Sequence, residues 1–329
     1  MKKRGSILFI LLLTFLLAAC SSQPGGQTAK DHQTAKQEQN TGQKDQQQKA
    51  FPVTFTDAVG NKVTIKHKPK RIVSLVPSNT EIAFALGAGD RIVAVDKFSD
   101  YPKQAKKLPK VGGQNFNVEK IISLKPDVVL AWASQAKNKK AGLDQLRHAG
   151  IKVVIVNQSY SFEDVYKSIH MIAKATGTTD KAQKVIGGMK QKFARIKKKA
   201  SKIPKKDRVS VWVEVSPPPN IYTTGKGTFM DQMLDLIHAK NIVQKKGWVK
   251  YSPEAAVKRQ PDVIVVTYGY QGKNTVKKVL HRDGWQQVPA IQNKRVYSVN
   301  PDIVSVPGPR LVKGVEQLAR VIYPDVFKK

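Results

Sequence analysis

The sequence is poor in cysteine and in negative charge. One of its 329 residues is cysteine, so the chain cannot form an internal disulfide and its stability has to come from packed cores. Lysine and arginine number 57 against 24 aspartates and glutamates, which gives a formal net charge of +33. After residue 20 no apolar run approaches the ~20 residues that a membrane-spanning helix needs. These absences exclude a disulfide-stabilised scaffold and a multi-span membrane protein.

The motifs of the common enzyme classes are missing as well. The chain has no Gly-x-Ser-x-Gly nucleophile elbow, no His-Glu-x-x-His zinc motif and no Walker phosphate loop. A metal site would need histidines and acids that converge. The histidines beyond residue 50 are instead dispersed among predicted helices and basic turns, at His67, His148, His170, His238 and His281. We therefore expect neither an enzyme nor a protein that holds a metal ion directly.

The large positive charge raises the question of a nucleic-acid partner. The lysines are scattered through predicted helices and turns, as in Lys103, Lys106 and Lys107. Aromatic residues do not interleave with them as they do in single-strand binders, and no nucleic-acid motif is present. We expect no nucleic-acid partner, and we interpret the charge as a basic surface facing an anionic membrane and anionic wall polymers.

Cys20 ends a segment with the three parts of a secretory signal peptide. A basic start is followed by an apolar run from Ile7 to Leu17 and then by Leu17-Ala18-Ala19-Cys20. These last four residues resemble the lipobox of bacterial lipoproteins, which implies cleavage before Cys20 and lipid attachment to it. Residues 1–19 are thus the predicted signal peptide, and the outer face of the bacterial cytoplasmic membrane is the predicted location. An ordinary signal peptide with an incidental cysteine is the alternative.

Residues 20–50 are polar and almost free of large apolar side chains, which predicts a disordered tether. Such a tether would reach on the order of 30 Å from the membrane. The folded part is predicted to begin near Phe51 and to hold about 280 residues, which favours two domains over one.

Strand and helix patterns alternate in two arrays. Short runs rich in β-branched residues predict buried strands at 71–76, 91–96, 127–132 and 152–157, and again at 209–215, 262–267 and 295–299. Strict alternation is typical of parallel sheets with helices on both faces. Ser78 and Glu81 have capping-box spacing at the first helix, and Ser161 and Asp164 are predicted to cap the helical stretch between the arrays.

This pattern divides the folded part into an N-terminal α/β lobe (51–158), a helical connector (159–206) and a C-terminal α/β lobe (207–329). Ligands of open α/β sheets bind beyond the carboxyl ends of the strands. Two facing lobes therefore predict a ligand cleft between them.

Three stretches carry a resemblance to a known family. They are the run from Arg71 to Gly87, Ser99-Asp100-Tyr101-Pro102, and Leu124 to Trp132. In this order they resemble the solute-binding proteins of ATP-driven importers for iron-siderophores, haem and cobalamin. The resemblance implies two Rossmann-like lobes joined by a long α-helix, the helical-backbone metal-chelate receptor fold. It is strongest to the cobalamin binders, which implies cobalamin as the ligand, with a ferric siderophore or haem as the alternative.

The same resemblance implies a monomer without a resident cofactor, whose partner is a permease dimer with its cytoplasmic ATPase. Carried over by motif, the implied ligand-binding residues are Pro77, Ser78, Asn79, Tyr101, Phe116, Trp132, Tyr222 and Asp302. The chain departs from the cobalamin binders at two places. Phe116 is the nearest aromatic to a tryptophan of that family, and Val306 stands where the family has an arginine, with Arg310 following. Core packing is the alternative for each aromatic; Trp212 is predicted to be core, and Trp248 and Trp285 receive no role.

A short repeat points to the partner. Glu119 lies seven residues before Pro126-Asp127-Val128, and Glu254 lies seven residues before Pro261-Asp262-Val263. The two lobes are therefore predicted to be structural duplicates. Stabilisation of a helix dipole would explain either acid alone. In the resembling family one acid on each lobe pairs with arginines of the permease, which implies that Glu119 and Glu254 dock this protein onto its transporter.

Overall fold

The computed structural model describes residues 51–270, 272 and 274–327. The predicted signal peptide, Cys20 and the tether lie outside these residues. The described part begins with an antiparallel hairpin of β1 (Val53–Thr56) and β2 (Lys62–Ile65), which the sequence patterns did not predict. Within the described residues, no helix combines the length and the apolar character that a bilayer crossing requires.

The first lobe is built on a four-stranded parallel sheet in the order β4-β3-β5-β6. Its strands are β3 (Ile72–Ser74), β4 (Ile92–Val95), β5 (Val128–Trp132) and β6 (Lys152–Val156). The helices of this lobe are α1 (Pro77–Ala85), α2 (Lys103–Lys106), α3 (Val118–Ser123), α4 (Ala133–Asn138) and α5 (Lys140–His148). The predicted strands are confirmed because each is an apolar run that the sheet buries on both faces.

Two helices connect the lobes, α6 (Phe162–Thr176) and α7 (Thr179–Ala200). The predicted capping box of α6 is present, since Ser161 Oγ accepts a hydrogen bond from the Asp164 amide at 3.1 Å and the Asp164 carboxylate accepts one from the Ser161 amide. The 22 residues of α7 span about 33 Å at 1.5 Å per residue. The helix continues unbroken through Gly187 and Gly188. Phe162 and Phe193 stack at 4.5 Å and hold α6 against α7.

The second lobe carries a mixed sheet in the order β10-β8-β7-β11-β12, with β9 added beside β7. Its strands are β7 (Ser210–Glu214), β8 (Tyr222–Thr224), β9 (Lys240–Asn241), β10 (Trp248–Lys250), β11 (Val263–Val266) and β12 (Val296–Ser298). Its helices are α8 (Phe229–Leu236), α9 (Pro253–Lys258), α10 (Thr275–Leu280), α11 (Pro289–Gln292), α12 (Pro301–Val304), α13 (Leu311–Ile322) and α14 (Pro324–Phe327).

The expectation of a fully parallel second sheet is wrong at one edge. The strands β7, β11 and β12 are parallel, but β8 pairs antiparallel with both of its neighbours, β7 and β10. After β7 the chain turns back within residues 216–220, where Ser216 Oγ donates to the Asn220 carbonyl at 2.6 Å. The returning segment therefore pairs with β7 as a short strand instead of remaining a loop.

One large core cluster continues from the first sheet through α6 and α7 into the second lobe, and it joins Ile72, Ile169 and Val213. The described residues accordingly form one compact unit, and the lobe boundaries drawn from the sequence stay predictions. Trp212 is fully buried, as predicted, and it stacks on Trp285 at 5.1 Å in a core of the second lobe. Trp248 packs against Phe229, with 5.5 Å between the ring centroids.

Candidate functional site

The carboxyl edge of the first sheet brings three of the predicted regions together. The first is the turn at Pro77 and Ser78 after β3, the second is the loop after β4, and the third is Trp132 at the end of β5. Asn79 joins two of them, because its side-chain amide donates to the Ala131 carbonyl at 3.1 Å. With 1% of its surface exposed, Asn79 positions this edge in the structure rather than facing solvent.

A buried polar network holds the loop after β4. The Asp96 carboxylate accepts hydrogen bonds from the Phe98 amide at 2.8 Å and from the Ser99 hydroxyl. Ser99 in turn contacts Thr80 of α1 at 2.8 Å. Burial raises the pKa of the Asp96 carboxyl, against the lowering effect of these hydrogen bonds. The loop is therefore fixed from within, and Phe98 and Tyr101 project from it.

Tyr101 lies on an ion pair that bridges the two lobes. The guanidinium carbon of Arg310, at the start of α13, is 3.8 Å from the centroid of the Tyr101 ring. Arg310 Nε donates to Glu81 Oε2 at 2.8 Å, and a second bond makes the pair bidentate. Burial opposes the charge on Arg310, but the hydrogen bonds and the charge of Glu81 outweigh it and raise the pKa of Arg310.

This contact corrects one prediction. Ser78 and Glu81 do not form a capping box, because α1 begins after Val76 with Pro77 in its first turn and has no side-chain cap. Glu81 is instead 97% buried at the lobe interface, where Arg310 pairs with it. The sequence pattern is local, whereas the true partner is 229 positions away.

A cavity of about 430 Å³ lies beside this ion pair. Both lobes and the connecting helix α7 contribute to its walls, which include Glu81, Phe84, Tyr101, Gln104, Lys192, Pro309, Arg310 and Lys313. Its volume is within the range of small-molecule sites. Of the predicted ligand-binding residues, Tyr101 is the one that lines this cavity.

The carboxyl edge of the second sheet carries Tyr222 and Asp302. Tyr222 opens β8 directly beside the end of β7, where its carbonyl accepts from the Val215 amide at 2.8 Å. Asp302 is exposed in α12, just after β12. Between them Glu214, the last residue of β7, is fully buried and receives two hydrogen bonds of 2.8 and 2.9 Å from Arg282. The Tyr268 hydroxyl donates to the same carboxylate, which fixes the segment that follows β11.

The most exposed aromatic side chains of the described residues share one position in the fold. Four of them follow the carboxyl end of a strand, and Tyr222 opens β8 beside the carboxyl end of β7. Their exposed fractions are 59% for Phe98, 40% for Tyr101, 44% for Tyr160, 46% for Tyr222 and 38% for Tyr270. Aromatic surface is thus concentrated on the edges where open α/β sheets bind ligands. Phe98, Tyr160 and Tyr270 were missed in the sequence, although Phe98 could have been found as an aromatic in the polar loop that holds Tyr101.

Phe116 is placed differently from the other predicted ligand contacts. Its ring packs beside Gly142 of α5, and it borders the second core cluster of the first lobe. The Phe116 ring is therefore engaged in packing, while the Phe116 backbone pairs with Gly112 and the adjacent Gly113 lies next to the Phe98 ring.

Glu119 and Glu254 occupy matching positions, each exposed in the first turn of a short helix. A helix that leads into a parallel strand runs opposite to it, so both acids lie toward the carboxyl edges of their sheets. Neither acid takes part in an ion pair within the described residues. The helix caps are supplied by Asn117 and Ser252, whose side chains accept backbone hydrogen bonds at 2.8 and 3.1 Å.

The turns after these helices repeat in detail. Lys125 and Gln260 both have φ of 46°, in the left-handed region. The following aspartates then fix the start of a neighbouring strand: Asp127 accepts from the Arg71 amide at 2.8 Å and Asp262 from the Ser210 amide at 2.7 Å. The predicted duplication of the two lobes is therefore present in their hydrogen bonds.

Comparison with known proteins agrees with this architecture. The periplasmic binding protein family matches residues 72–303. The chain belongs to this family. It is 48% identical to the ABC transporter substrate-binding lipoprotein YvrC of Bacillus subtilis (strain 168), with 100% of both chains covered. It is 30% identical to the vitamin B12-binding protein of Photorhabdus laumondii, over 77% of this chain and 87% of that protein.

Solved structures show the same fold. A possible iron-binding periplasmic solute-binding protein from Staphylococcus epidermidis superposes with a TM-score of 0.71 at 37% identity, covering 78% of this chain and 99% of that one. The haem-binding protein RhuT from Roseiflexus gives 0.70 at 26% identity, with 78% and 99% covered. The vitamin B12-binding protein BtuF of Vibrio cholerae gives 0.64 at 26%, with 80% and 99% covered. The predicted two-lobed α/β fold and the prediction of a substrate-binding protein instead of an enzyme are confirmed.

Proposed function

We propose that this protein captures cobalamin in the cleft between its lobes and delivers it to the permease of an ABC importer. The observation that carries the proposal is the set of exposed aromatic side chains, all of them at the carboxyl edges of the two sheets. Rings supply area and shape for a large, flat ligand, and a few polar groups fix its orientation. Vitamin B12-binding relatives at 30% identity support the same choice.

Lipid attachment at Cys20 and docking through Glu119 and Glu254 complete the proposal. A lipid-anchored position is supported by the full-length similarity to a substrate-binding lipoprotein. Docking is supported by two exposed acids at matching turns, since a duplicated pair suits a partner with two-fold symmetry. The acids are not needed as caps, because Asn117 and Ser252 already cap the two helices.

Calorimetric titration with cobalamin, haemin and a panel of ferric siderophores tests the ligand. Replacement of Tyr101 or Trp132 by alanine is expected to weaken cobalamin binding by about 1–3 kcal/mol, the range for a truncated aromatic anchor. Tyr101→Phe is the matched control, because it keeps the ring and should keep cobalamin affinity. Binding of a ferric siderophore without any heat from cobalamin would refute the proposal.

Haem is the second candidate, and one observation favours it. The Tyr101 hydroxyl makes no hydrogen bond to any described residue, although its ring is held in place by Arg310. A tyrosine oxygen can serve as an axial ligand of haem iron. Haem binding would therefore be lost in Tyr101→Phe, whereas cobalamin binding would not, so that one variant separates the two ligands.

A further inference from the structure

A second cavity lies on a different part of the molecule, between α7 and the C-terminal helices. It has a volume of about 390 Å³. Its cations are Lys192, Arg195 and Lys199 of α7 and Arg320 of α13, and its one acid is Glu316. The residues from α7 are three and four positions apart, so that they project from one face of the helix. We refer to Arg195, Lys199 and Arg320 as the basic groove; Lys192 is left out of this set because it also lines the inter-lobe cavity.

The cations of the basic groove outnumber the one acid of the cavity, Glu316, and make no ion pair with any described residue. The described residues form seven ion pairs, and none involves a residue of α7 or Arg320. Arg195, Lys199 and Arg320 are all exposed. Three cations that converge on a cavity with a single acid repel one another, and an anion between them would relieve this repulsion.

The surroundings extend the positive surface well beyond the cavity. From residue 179 to residue 208 the chain has 12 lysines and arginines and only two acids, Asp180 and Asp207. The basic last turn of α7, at Lys197 to Lys199, is explained by the helix dipole. The same explanation applies to Arg320, in the last turn of α13, but not to Arg195, which lies one turn before the end of α7. A surface of this extent, about 33 Å along α7, suits a partner that presents many negative charges at once.

We propose that the basic groove binds the phosphate headgroups of an anionic bilayer and holds the protein on the membrane surface when it is not docked on the permease. The floor of the cavity favours a lipid, because it contains the apolar side chains of Ile196 and Phe327. A glycerol backbone with its first acyl carbons can cover such a floor, whereas a purely polar phosphate polymer cannot. This contact would act together with the proposed lipid anchor at Cys20. The anchor would keep the basic groove near the bilayer.

The test compares variants of one full-length parent that carries Cys20→Ser, so that no lipid is attached. Binding is measured on vesicles of phosphatidylcholine alone and of equal parts phosphatidylcholine and phosphatidylglycerol, and the readout is the gain in affinity from the first to the second. Arg195→Gln, Lys199→Gln and Arg320→Gln together are expected to reduce this gain at least about tenfold. The charge-matched control changes three exposed lysines elsewhere, Lys62, Lys66 and Lys294, to glutamine and should stay within about twofold of the parent.

Three outcomes would overturn the inference. An unchanged gain in the groove variant would show that the groove does not bind lipid. An equal loss in the control would show unspecific attraction by the net charge. A loss of binding to poly(glycerol phosphate) without any loss on vesicles would identify a wall polymer as the partner. Cobalamin titration of the same variants should match the parent, and this separates the result from a failure of the proposed function.

Discussion

Replacement of Arg310 by glutamine is expected to destabilise the folded protein by about 2–4 kcal/mol. Breaking a fully buried ion pair by removing one partner costs ~3–5 kcal/mol, because the remaining charge is left buried without a partner. The Glu81 side chain is 3% exposed and that of Arg310 is 12% exposed, so Arg310→Gln leaves Glu81 in this situation. The residual exposure of the site lowers the estimate, while the lost stacking of Arg310 on Tyr101 adds ~0.5–1 kcal/mol to it.

Urea unfolding followed by tryptophan fluorescence measures this difference. Trp212 and Trp285 are buried in the second lobe and report its unfolding. The control is Arg310→Lys, which keeps the positive charge but cannot make two parallel hydrogen bonds to one carboxylate. Its free energy of unfolding should lie between those of wild type and Arg310→Gln. The double variant with Glu81→Gln should lose less than the sum of the two single variants, because no unpaired charge remains.

If Arg310→Gln lowered the free energy of unfolding by less than about 1 kcal/mol, the reasoning would be refuted, since that is the range of an exposed ion pair. Strict additivity in the double variant would refute it as well, because it would show that the two residues do not interact. Weaker cobalamin binding with unchanged stability would assign Arg310 to the ligand instead of the lobe interface.

Two further predictions concern the anchor and the partner. Cys20→Ser should abolish lipid labelling and release the protein to the medium, and unchanged membrane retention of this variant would contradict the lipoprotein assignment. Glu119→Ala should impair cobalamin uptake partly and the double variant with Glu254→Ala severely, because several charge pairs at a desolvated interface fix orientation as well as affinity. Cobalamin affinity, measured by calorimetry, should stay at the wild-type value in both variants; a parallel loss of affinity, or full uptake by the double variant, would rule out a docking role.

The sequence was sufficient for those parts of the fold that depend on local patterns. The central strands were found because each is a continuous apolar run, and the cap at Ser161 was found because its partner Asp164 is three residues away. The strands β8 and β10 were missed because neither is a continuous apolar run and both owe their pairing to the returning chain after β7. The capping role predicted for Glu81 was wrong because its partner, Arg310, is set by the packing of the two lobes and not by local sequence.

The two lobes are alike at the turns that fix the starts of their strands and differ at the carboxyl edges of their sheets. The turns at Asp127 and Asp262 make the same hydrogen bonds to the start of a neighbouring strand, so the repeat is visible in the sequence. At the carboxyl edges, by contrast, the first lobe fixes its loop with Asp96 and Ser99, and the second uses Glu214 with Arg282. A ligand without two-fold symmetry has to meet different groups on its two faces, whereas a two-fold symmetric partner can meet the same group twice. On the proposed function, the ligand would therefore be selected at the edges that differ, and the permease would be recognised at the turns that repeat.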